Sequence, residues 1–268
     1  SRWQTRSLGR VTIPTTHRFW VDGTLAYLRF KKVRFAMPDT KTVAFVSLGC
    51  AKNLVDSEKM LGQLAEAGCI ITEDETDADV LVINTCGFLE ASREEAIGEI
   101  RTAVANKKSG GVRRVVVAGC LVQRDGKSLL DRVSGIDALV GVHSRDDIVR
   151  AVTGPRRAKA PVDLYLSDYH PFTQIDTARL RITPRHYAYL RISEGCDQKC
   201  TFCTIPAIRG PMHSKPPGII IAEARELVSD GAVEISLIGQ DTTSYGDDIH
   251  YRPGLSGMLT ALDQLADS

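Results

Sequence analysis

Seven cysteines give this sequence its capacity for metal chemistry, and six of them fall into two groups. Cys196, Cys200 and Cys203 have C-x3-C-x2-C spacing in a loop that follows a predicted strand. Thiolates are soft ligands that suit iron–sulfur clusters, and such tight spacing lets three sulfurs face one cluster. A zinc knuckle is the alternative, but structural zinc takes four protein ligands, and no second cysteine pair or suitably spaced His lies nearby. The pattern therefore predicts a four-iron cluster with one iron open to another molecule.

The second group is Cys50, Cys86 and Cys120, each of which comes one to three residues after a predicted strand. Ligand sites in open parallel sheets form beyond the carboxyl ends of the strands, so these three thiols can converge on one metal site. Each has a glycine neighbour, which lets the backbone approach a bulky cofactor. Taken singly, each could instead be a core residue, because free Cys packs as a small hydrophobe. Cys69 lies at the start of a strand, the opposite edge, and is assigned to the core.

Alternating strands and helices are predicted to position the second group. The predicted strands are Val43–Leu48, Ile70–Thr72, Val80–Ile83, Val115–Ala118 and Ala138–Val140. The predicted helices have Leu54, Leu61, Leu64 and Ala65 on one face of the first, Leu89, Ala96, Ile97, Ile100 and Val104 in the second, and Asp146–Val152 as the third. This alternation predicts an α/β fold with a doubly wound parallel sheet over residues 40–152.

A second α/β unit is predicted to carry the first group. Residues 153–185 are rich in Pro, Arg and Asp without a sustained period, which is typical of a linker. From residue 186 the predicted elements are a strand at Tyr187–Ile192, a helix at Ile221–Val228, a strand at Glu234–Ile238 and a helix from Leu255. Two β/α units cannot close a barrel, so we expect the second domain, residues 186–268, to be truncated at its C-terminus.

Composition narrows the class of protein. The chain has 268 residues, of which 43% are hydrophobic and 25% charged, as is ordinary for a globular protein. No apolar run approaches the roughly eighteen residues of a membrane span, and the N-terminus lacks the apolar core of a secretory signal. An odd number of cysteines without such a signal argues against a disulfide framework. The expected location is the cytoplasm, and no membrane partner is expected.

Residues 1–36 differ from the rest in charge. They hold eight Lys and Arg against the single acid Asp22, together with both tryptophans, Trp3 and Trp20. Removing them from the totals of 34 basic and 33 acidic residues leaves 26 and 32, so residues 37–268 carry a net charge of −6. A basic leader could be a targeting peptide or a nucleic-acid arm. It shows no clear helical or strand period and stops just before Met37, so we expect read-through that does not belong to the following domain.

Several blocks of the sequence resemble, in the same order, the motifs of the RimO-type methylthiotransferases. They are Ser47–Glu58, Ile83–Phe88, Val117–Cys120, Ile192–Asp197, Cys200–Pro206 with Arg209-Gly210, and Gln240–Gly246. The resemblance covers roughly residues 40–268. It implies that residues 40–152 are the N-terminal methylthiotransferase domain and that residues 186–268 are part of a radical SAM partial (β/α) barrel. The remaining barrel and the small substrate-binding β-barrel of the family are absent, so this fragment is expected to be inactive or weakly active.

The resemblance also implies cofactors and chemistry. Two 4Fe-4S clusters are expected, one on each group of cysteines, together with S-adenosylmethionine (SAM). The radical cluster cleaves SAM to a 5′-deoxyadenosyl radical, which abstracts hydrogen from the β-carbon of an aspartate in ribosomal protein uS12, and the auxiliary cluster delivers the methylthio group. An electron donor and a sulfur source are further partners of unknown identity. Phe202 is the aromatic residue expected before the last cysteine of the radical motif. Gln240 and Asp241 are candidate SAM contacts, with loop capping as the alternative.

Two other functions remain open from the sequence. The MiaB-type sibling family acts on an adenosine of transfer RNA, and its blocks usually contain GCQMN and GQN. This chain has Gly49–Asn53 as GCAKN and Gln240–Thr243 as QDTT, which resemble the protein-modifying branch. The mild acidity of residues 37–268 agrees, since a phosphate-binding surface would be basic. A non-catalytic iron–sulfur protein is the other alternative, but electron carriers ligate each cluster with four cysteines rather than three.

Overall fold

The computed structural model describes residues 40–75, 78–155, 161–170 and 175–265, and the backbone of two strands before residue 40. The chain divides into two compact units, Ser1–Asp39 and Thr40–Ser268. In the first unit, β1 (Thr16–Val21) and β2 (Thr24–Arg29) pair antiparallel, although the sequence there shows no clear strand period. Apart from these two strands, residues 1–36 lie outside the described residues, so the expectation that they do not belong to the following domain stays a prediction.

A six-stranded parallel sheet forms the first half of the second unit and confirms the predicted fold class. Its strands are β3 (Thr42–Ser47), β4 (Ile70–Thr72), β5 (Val80–Thr85), β6 (Arg114–Gly119), β7 (Ala138–Val140) and β8 (Asp163–Tyr165). They are arranged in the order β4-β3-β5-β6-β7-β8, and every pairing is parallel. β5 is buried along its whole length, as expected for a central strand covered on both faces.

Helices cover both faces of this sheet. They are α1 (Ala51–Glu66), α2 (Glu90–Lys108), α3 (Cys120–Asp125), α4 (Leu129–Arg132) and α5 (Ile148–Thr153). Alternate residues of β5 enter two separate apolar cores, Leu81 with Ile97 of α2 on one side and Val82 with Met60 of α1 on the other. The sheet is therefore doubly wound, since its central strand β5 buries both of its faces beneath helices. None of the described helices is long and apolar enough to cross a membrane.

Two details of this half differ from the sequence prediction. The segment predicted as a linker contributes β8, which pairs with β7 and begins at the buried Asp163. The apolar face predicted for α1 is incomplete, because Leu54 is half-buried and Ala65 is exposed. The polar residues Asp56 and Glu58 are buried on this helix instead. The polar side of α1 faces protein rather than solvent, and a pattern of apolar spacing could not reveal that.

The second half is built around a two-stranded parallel sheet. β9 (Tyr187–Arg191) pairs with β12 (Glu234–Ile238), and α7 (Pro217–Ser229) connects them through a crossover. The short strands β10 (Ser193–Glu194) and β11 (His213–Ser214) pair antiparallel around the intervening helix α6 (Ile205–Arg209). α8 (Gly254–Asp263) follows β12 and closes a small apolar core. These elements place the loop 195–204 beside the carboxyl ends of β9 and β12.

Candidate functional site

The second cysteine group lies at the carboxyl edge of the six-stranded sheet. Cys50 precedes the first residue of α1, Cys86 directly follows β5, and Cys120 is the first residue of α3 after β6. The preceding strands β3, β5 and β6 are neighbours in the sheet. From β3 the chain first runs to β4 on one side of the sheet and then crosses to β5 on the other side. The position between β3 and β5 is therefore the topological switch point, where ligand crevices form. The three thiols therefore emerge from adjacent strands at the expected place.

Close backbone approaches hold the three cysteine turns together. Gly49 has a φ of +101°, and a Cβ on it would lie 2.8 Å from the Cβ of Cys86. A Cβ on Gly87 would lie 2.8 Å from the carbonyl carbon and oxygen of Cys120. Only glycine fits at both positions without displacing a cysteine. Each glycine thus brings one cysteine turn against the next.

One cavity of about 270 Å³ is lined by Cys50, Cys86 and Cys120. The second half of the unit supplies its opposite wall. That wall consists of Ile205, Ile208 and Arg209 of α6 and of Ile238, Gly239 and Gln240 at the end of β12. Phe88 and the start of α1 complete the lining. The cavity thus lies between the two α/β halves, and its floor carries thiols while much of its opposite wall is apolar.

The first cysteine group lies in the loop between β10 and α6. Cys196 is buried, Cys200 exposed and Cys203 half-buried. The loop is held by a bond from the Cys203 N–H to the Cys200 carbonyl at 3.1 Å. The N–H of Gln198 donates to Cys196 Sγ at 3.4 Å, a contact of the kind that supports cluster-ligating sulfurs. α6 begins two residues after Cys203, so the loop leads directly into the cavity wall.

Among the described residues, no three His, Cys, Asp or Glu side chains are grouped so as to hold a single metal ion. A cubane cluster has a different requirement, because each thiolate binds its own iron and the sulfurs stand farther apart. Three thiols around one cavity, each free of a disulfide, fit that requirement. Cys69 lies in the apolar core beneath α1, where burial raises the pKa of its thiol. It takes no part in the cavity.

Cys120 is the most enclosed ligand candidate and has a cationic partner. Burial raises the pKa of its thiol to about 11, although the neighbouring Arg209 acts in the opposite direction. Arg209 Nη2 donates to Cys120 Sγ at 3.1 Å. Burial alone would lower the pKa of Arg209, but Cys120, Glu194 and Asp56 outweigh it and hold the pKa well above its usual value. Arg209 is therefore a permanent positive charge beside the sulfur.

A buried ionic network joins this contact to the rest of the domain. Its cations are Lys52, Arg145, Arg191, Arg209 and Lys215, and its carboxylates are Asp56, Asp176, Glu194 and Glu223. Arg191 contacts Asp56 at 2.8 Å and Asp176 at 2.6 Å, and thus ties α1 to the segment between the halves. Because Asp56 and Lys52 belong to α1, this helix carries the polar interface between the two halves.

The three candidate cofactor contacts differ in their surroundings. Phe202 is 82% exposed, at the tip of the cysteine loop. Gln240 lines the cavity, accepts a bond from Lys52 Nζ at 2.7 Å and donates to Glu194 Oε1 at 2.8 Å. Asp241 caps its own loop, since its carboxylate accepts hydrogen bonds from residues 243 and 244. It also accepts a bond from Gln198 in the cysteine loop at 2.9 Å.

Two further residues of the site, Arg209 and Lys52, have no role predicted from the sequence. Both line the cavity and both are buried. The sequence contains a signal for Lys52, since Lys52 and Asp56 stand at i, i+4 and place a polar stripe on a helix that has an apolar face elsewhere. No comparable signal marks Arg209, because its partners lie 15, 89 and 153 residues away.

Comparison with family models places the two halves in different families. Residues 42–141 match the model described as Uncharacterized protein family UPF0004, and residues 190–257 match the Radical SAM superfamily. The first model ends one residue after β7, and the second begins at Leu190 within β9. The first segment thus corresponds to β3 to β7 with the cysteine edge, without β8, and the second to the half that carries the C-x3-C-x2-C loop.

Relatives with similar sequences carry one name. "Ribosomal protein uS12 methylthiotransferase RimO" of Solibacter usitatus (strain Ellin6076) is 43% identical over 223 residues, which are 83% of this chain and 47% of the relative. The protein of the same name from Elusimicrobium minutum (strain Pei191) is 42% identical over 217 residues, 81% of this chain and 49% of the relative. The chain spans about half the length of the curated relatives it matches.

A solved structure shares the fold. It is the radical S-adenosylmethionine methyltransferase TsrM from Kitasatospora setae with cobalamin and a 4Fe-4S cluster bound. The TM-score is 0.55 at 14% sequence identity, and the match covers 83% of this chain and 52% of that chain. At this identity the likeness concerns the arrangement of the two α/β halves.

Proposed function

The chain belongs to the RimO-type family of radical SAM methylthiotransferases, and we propose that the complete protein methylthiolates the β-carbon of an aspartate in ribosomal protein uS12. The observation that carries this proposal is the single cavity lined by Cys50, Cys86 and Cys120 on one side and by α6 on the other. α6 begins two residues after Cys203, so both cysteine groups serve one reaction space. A sulfur donor and a radical generator must meet in such a space.

Two 4Fe-4S clusters fit the two cysteine groups. Cys196, Cys200 and Cys203 would hold the radical cluster, and Cys50, Cys86 and Cys120 would hold the auxiliary cluster. When bound, these clusters and SAM supply the radical and the methylthio group. Neither group offers a fourth cysteine, because Cys69 is in the core. Each cluster would therefore keep one iron for a small ligand, which an electron carrier does not need.

The chain's own residues would orient the reactants and exclude water. Ile205, Ile208 and Phe88 line the cavity with apolar surface, which protects a radical from solvent. Gln240 is held on both sides of its amide, by Lys52 and by Glu194, so its position at the cavity wall is fixed. Such a preorganised wall lets the cofactors and the substrate carbon meet without a further ordering step.

The choice of an aspartate of uS12 rests on two supports. The relatives described above carry ribosomal protein uS12 in their name, and the resemblance to the RimO-type family implies an aspartate as the modified residue. The GCAKN and QDTT blocks follow the protein-modifying branch rather than the transfer-RNA branch. An electron donor and a sulfur source must also reach the clusters, and their identities are a separate question.

The test uses the complete gene in a host deleted for both methylthiotransferases. We expect mass spectrometry of uS12 to show the gain of one methylthio group on a single aspartate. A matched variant with Cys86→Ala should restore no modification, whereas Cys69→Ala should restore it. Restored methylthio-adenosine in transfer RNA with unmodified uS12 would establish the MiaB-type function instead.

A second measurement separates an enzyme from an iron–sulfur carrier. The reconstituted full-length protein is incubated with SAM and a reductant, and 5′-deoxyadenosine is quantified. We expect its formation to require Cys196, Cys200 and Cys203 but to survive replacement of Cys50, Cys86 and Cys120 by Ala. No 5′-deoxyadenosine from a fully loaded protein would refute radical catalysis and leave the carrier as the explanation.

A further inference from the structure

Arg209 makes an unusually constrained contact with Cys120. Its Nη2 donates to Cys120 Sγ at 3.1 Å and to Asp56 Oδ2 at 2.9 Å, and its Nη1 donates to Glu194 Oε1 at 3.1 Å. Arg209 is 1% exposed, so water does not compete for these bonds. A guanidinium is planar, and three acceptors fix its orientation. One of its N–H groups is therefore held toward the sulfur.

Arg209 belongs to the buried ionic network, in which Asp56 and Glu194 are its carboxylate partners. Asp56 lies on α1 beside the six-stranded sheet, and Glu194 lies in the half that carries the cysteine loop. The positive charge of Arg209 is therefore held beside Cys120 Sγ by partners from both halves.

We propose that Arg209 is a positioning residue that anchors Cys120 as a ligand of the auxiliary cluster and raises the reduction potential of that cluster. The inference rests on the proposed function, which makes Cys120 a cluster ligand. A fixed positive charge beside a ligand sulfur favours the cluster form that carries one more electron. Hydrogen bonds to the sulfurs and the net charge around a cluster are among the factors that set its potential.

Arg209 also connects the two halves that carry the two cysteine groups. Arg209 ends α6, the helix that begins just after Cys203, while Cys120 begins α3 on the six-stranded sheet. The contact is thus made from the half that holds the radical loop to a ligand of the other cluster. The Arg209 side chain therefore fixes the position of Cys120 relative to the opposite wall of the cavity.

The test uses the full-length protein with Cys196, Cys200 and Cys203 replaced by Ala, so that the auxiliary cluster is the sole one to be loaded. Arg209→Met, Arg209→Gln and Arg209→Lys are compared in this background. Arg145→Met is the matched control, since Arg145 contacts Asp56 and Asp176 of the same network but no sulfur. The readouts are iron retained during exposure to a chelator and the midpoint potential from a redox titration followed by electron paramagnetic resonance.

Arg209→Met should weaken iron retention about 10–100-fold, as loss of a ligand's supporting partner typically does. It should also make the cluster about tenfold harder to reduce, a midpoint about 59 mV lower for a one-electron couple. Arg209→Lys keeps the charge and should keep most of the potential. Arg209→Gln keeps an N–H without the charge and should show the lower potential while it retains iron better than Arg209→Met. Arg145→Met should match the background protein in both readouts.

Equal changes in Arg209→Met and Arg145→Met would show a merely structural role and overturn the proposal, as would an unchanged potential in Arg209→Gln. If Arg209→Met does not fold, the Gln and Lys variants decide the question through the same two readouts. Cys120→Ala in the same background tests the proposed function itself. Full cluster retention in Cys120→Ala would refute the ligand assignment, whereas loss there with unchanged Arg209 variants would overturn only the role of Arg209.

Discussion

Replacing Arg191 by Met should show how strongly the buried network holds the two halves together. The Arg191 side chain is fully buried and donates four hydrogen bonds to three carboxylates. Two of them form a bidentate pair with Asp176, at 2.9 and 2.6 Å. Asp56 and Glu194 each accept one at 2.8 Å. The substitution removes all four bonds and leaves a shorter, uncharged side chain.

The size of the expected destabilisation depends on the cationic partners that the three carboxylates retain. Breaking a buried ion pair by removing one partner typically costs about 3–5 kcal/mol, because a buried charge is left uncompensated. Without Arg191, Asp176 still has Arg145 and Lys215 as ion-pair partners. Asp56 and Glu194 each still have Arg209. We therefore expect the lower end, about 3 kcal/mol, and a melting temperature lower by roughly 6–12 °C.

The pH dependence supplies an independent check. Burial alone would raise the pKa values of Asp56, Asp176 and Glu194, but the surrounding cations outweigh it and lower them. A lowered folded-state pKa contributes stability above the unfolded values of 3.8 and 4.5, and this stability is lost as pH falls through the folded-state values. Without Arg191 these pKa values rise, so the acid loss of stability should begin at a higher pH than in the wild type.

Urea unfolding followed by circular dichroism measures both effects. Arg113→Met is the matched control, since Arg113 is 81% exposed and pairs with Asp79 at 3.3 Å. An exposed pair contributes about 0–1 kcal/mol. Equal unfolding midpoints for Arg191→Met and Arg113→Met at unchanged slope would refute the view that the network carries the interface between the halves.

Three further outcomes are expected. Cys86→Ala should lower the iron content of the loaded full-length protein toward half, about four of eight atoms, while Cys69→Ala leaves it unchanged; equal losses in an iron assay would refute the ligand assignment. Asp241→Asn should lower the free energy of unfolding above pH 3.8, the usual pKa of the Asp241 carboxyl, because bonds donated to the carboxylate lower its pKa. The difference in stability between wild type and variant should vanish as pH falls, and a pH-independent difference in unfolding experiments would contradict this. In a double-mutant cycle, the effects of Lys52→Met and Gln240→Ala on the free energy of unfolding should differ from additivity by about 0.5–3 kcal/mol, since the two side chains are hydrogen-bonded. Additive effects would show that this hydrogen bond does not contribute to stability.

Most of the strands could be predicted because their signal is local. Ile70–Thr72, Ala138–Val140 and Glu234–Ile238 have the predicted bounds. Short β-branched and apolar runs between turn residues suffice for such strands. β8 has only three residues and begins with Asp163, whose burial depends on Arg114, 49 residues earlier. No local pattern contains that partner, so the sequence predicts a linker where the structure has this strand.

The cysteine edge could also be anticipated, because strand order alone decides it. In a parallel sheet the carboxyl ends lie at one edge, so residues that follow β3, β5 and β6 must be neighbours there. The ionic network could not be anticipated in the same way. Its members are charged residues in segments far apart in sequence, and charged residues are by default expected at the surface. Only their tertiary contacts show that Arg191 and Asp176 are buried.

The two sequence blocks that distinguish the protein-modifying branch from the transfer-RNA branch are in contact in the structure. Lys52 lies in the GCAKN block and Gln240 at the start of the QDTT block, 188 residues later, yet Lys52 Nζ donates to Gln240 Oε1 at 2.7 Å. Gln240 is also present in the GQN block of the transfer-RNA branch, so Lys52 is the member of this contact that differs between the branches. Both residues line the cavity together with Cys50, Cys86 and Cys120. A branch-specific residue is therefore part of the wall of the proposed reaction space, where a difference in substrate would have to be expressed.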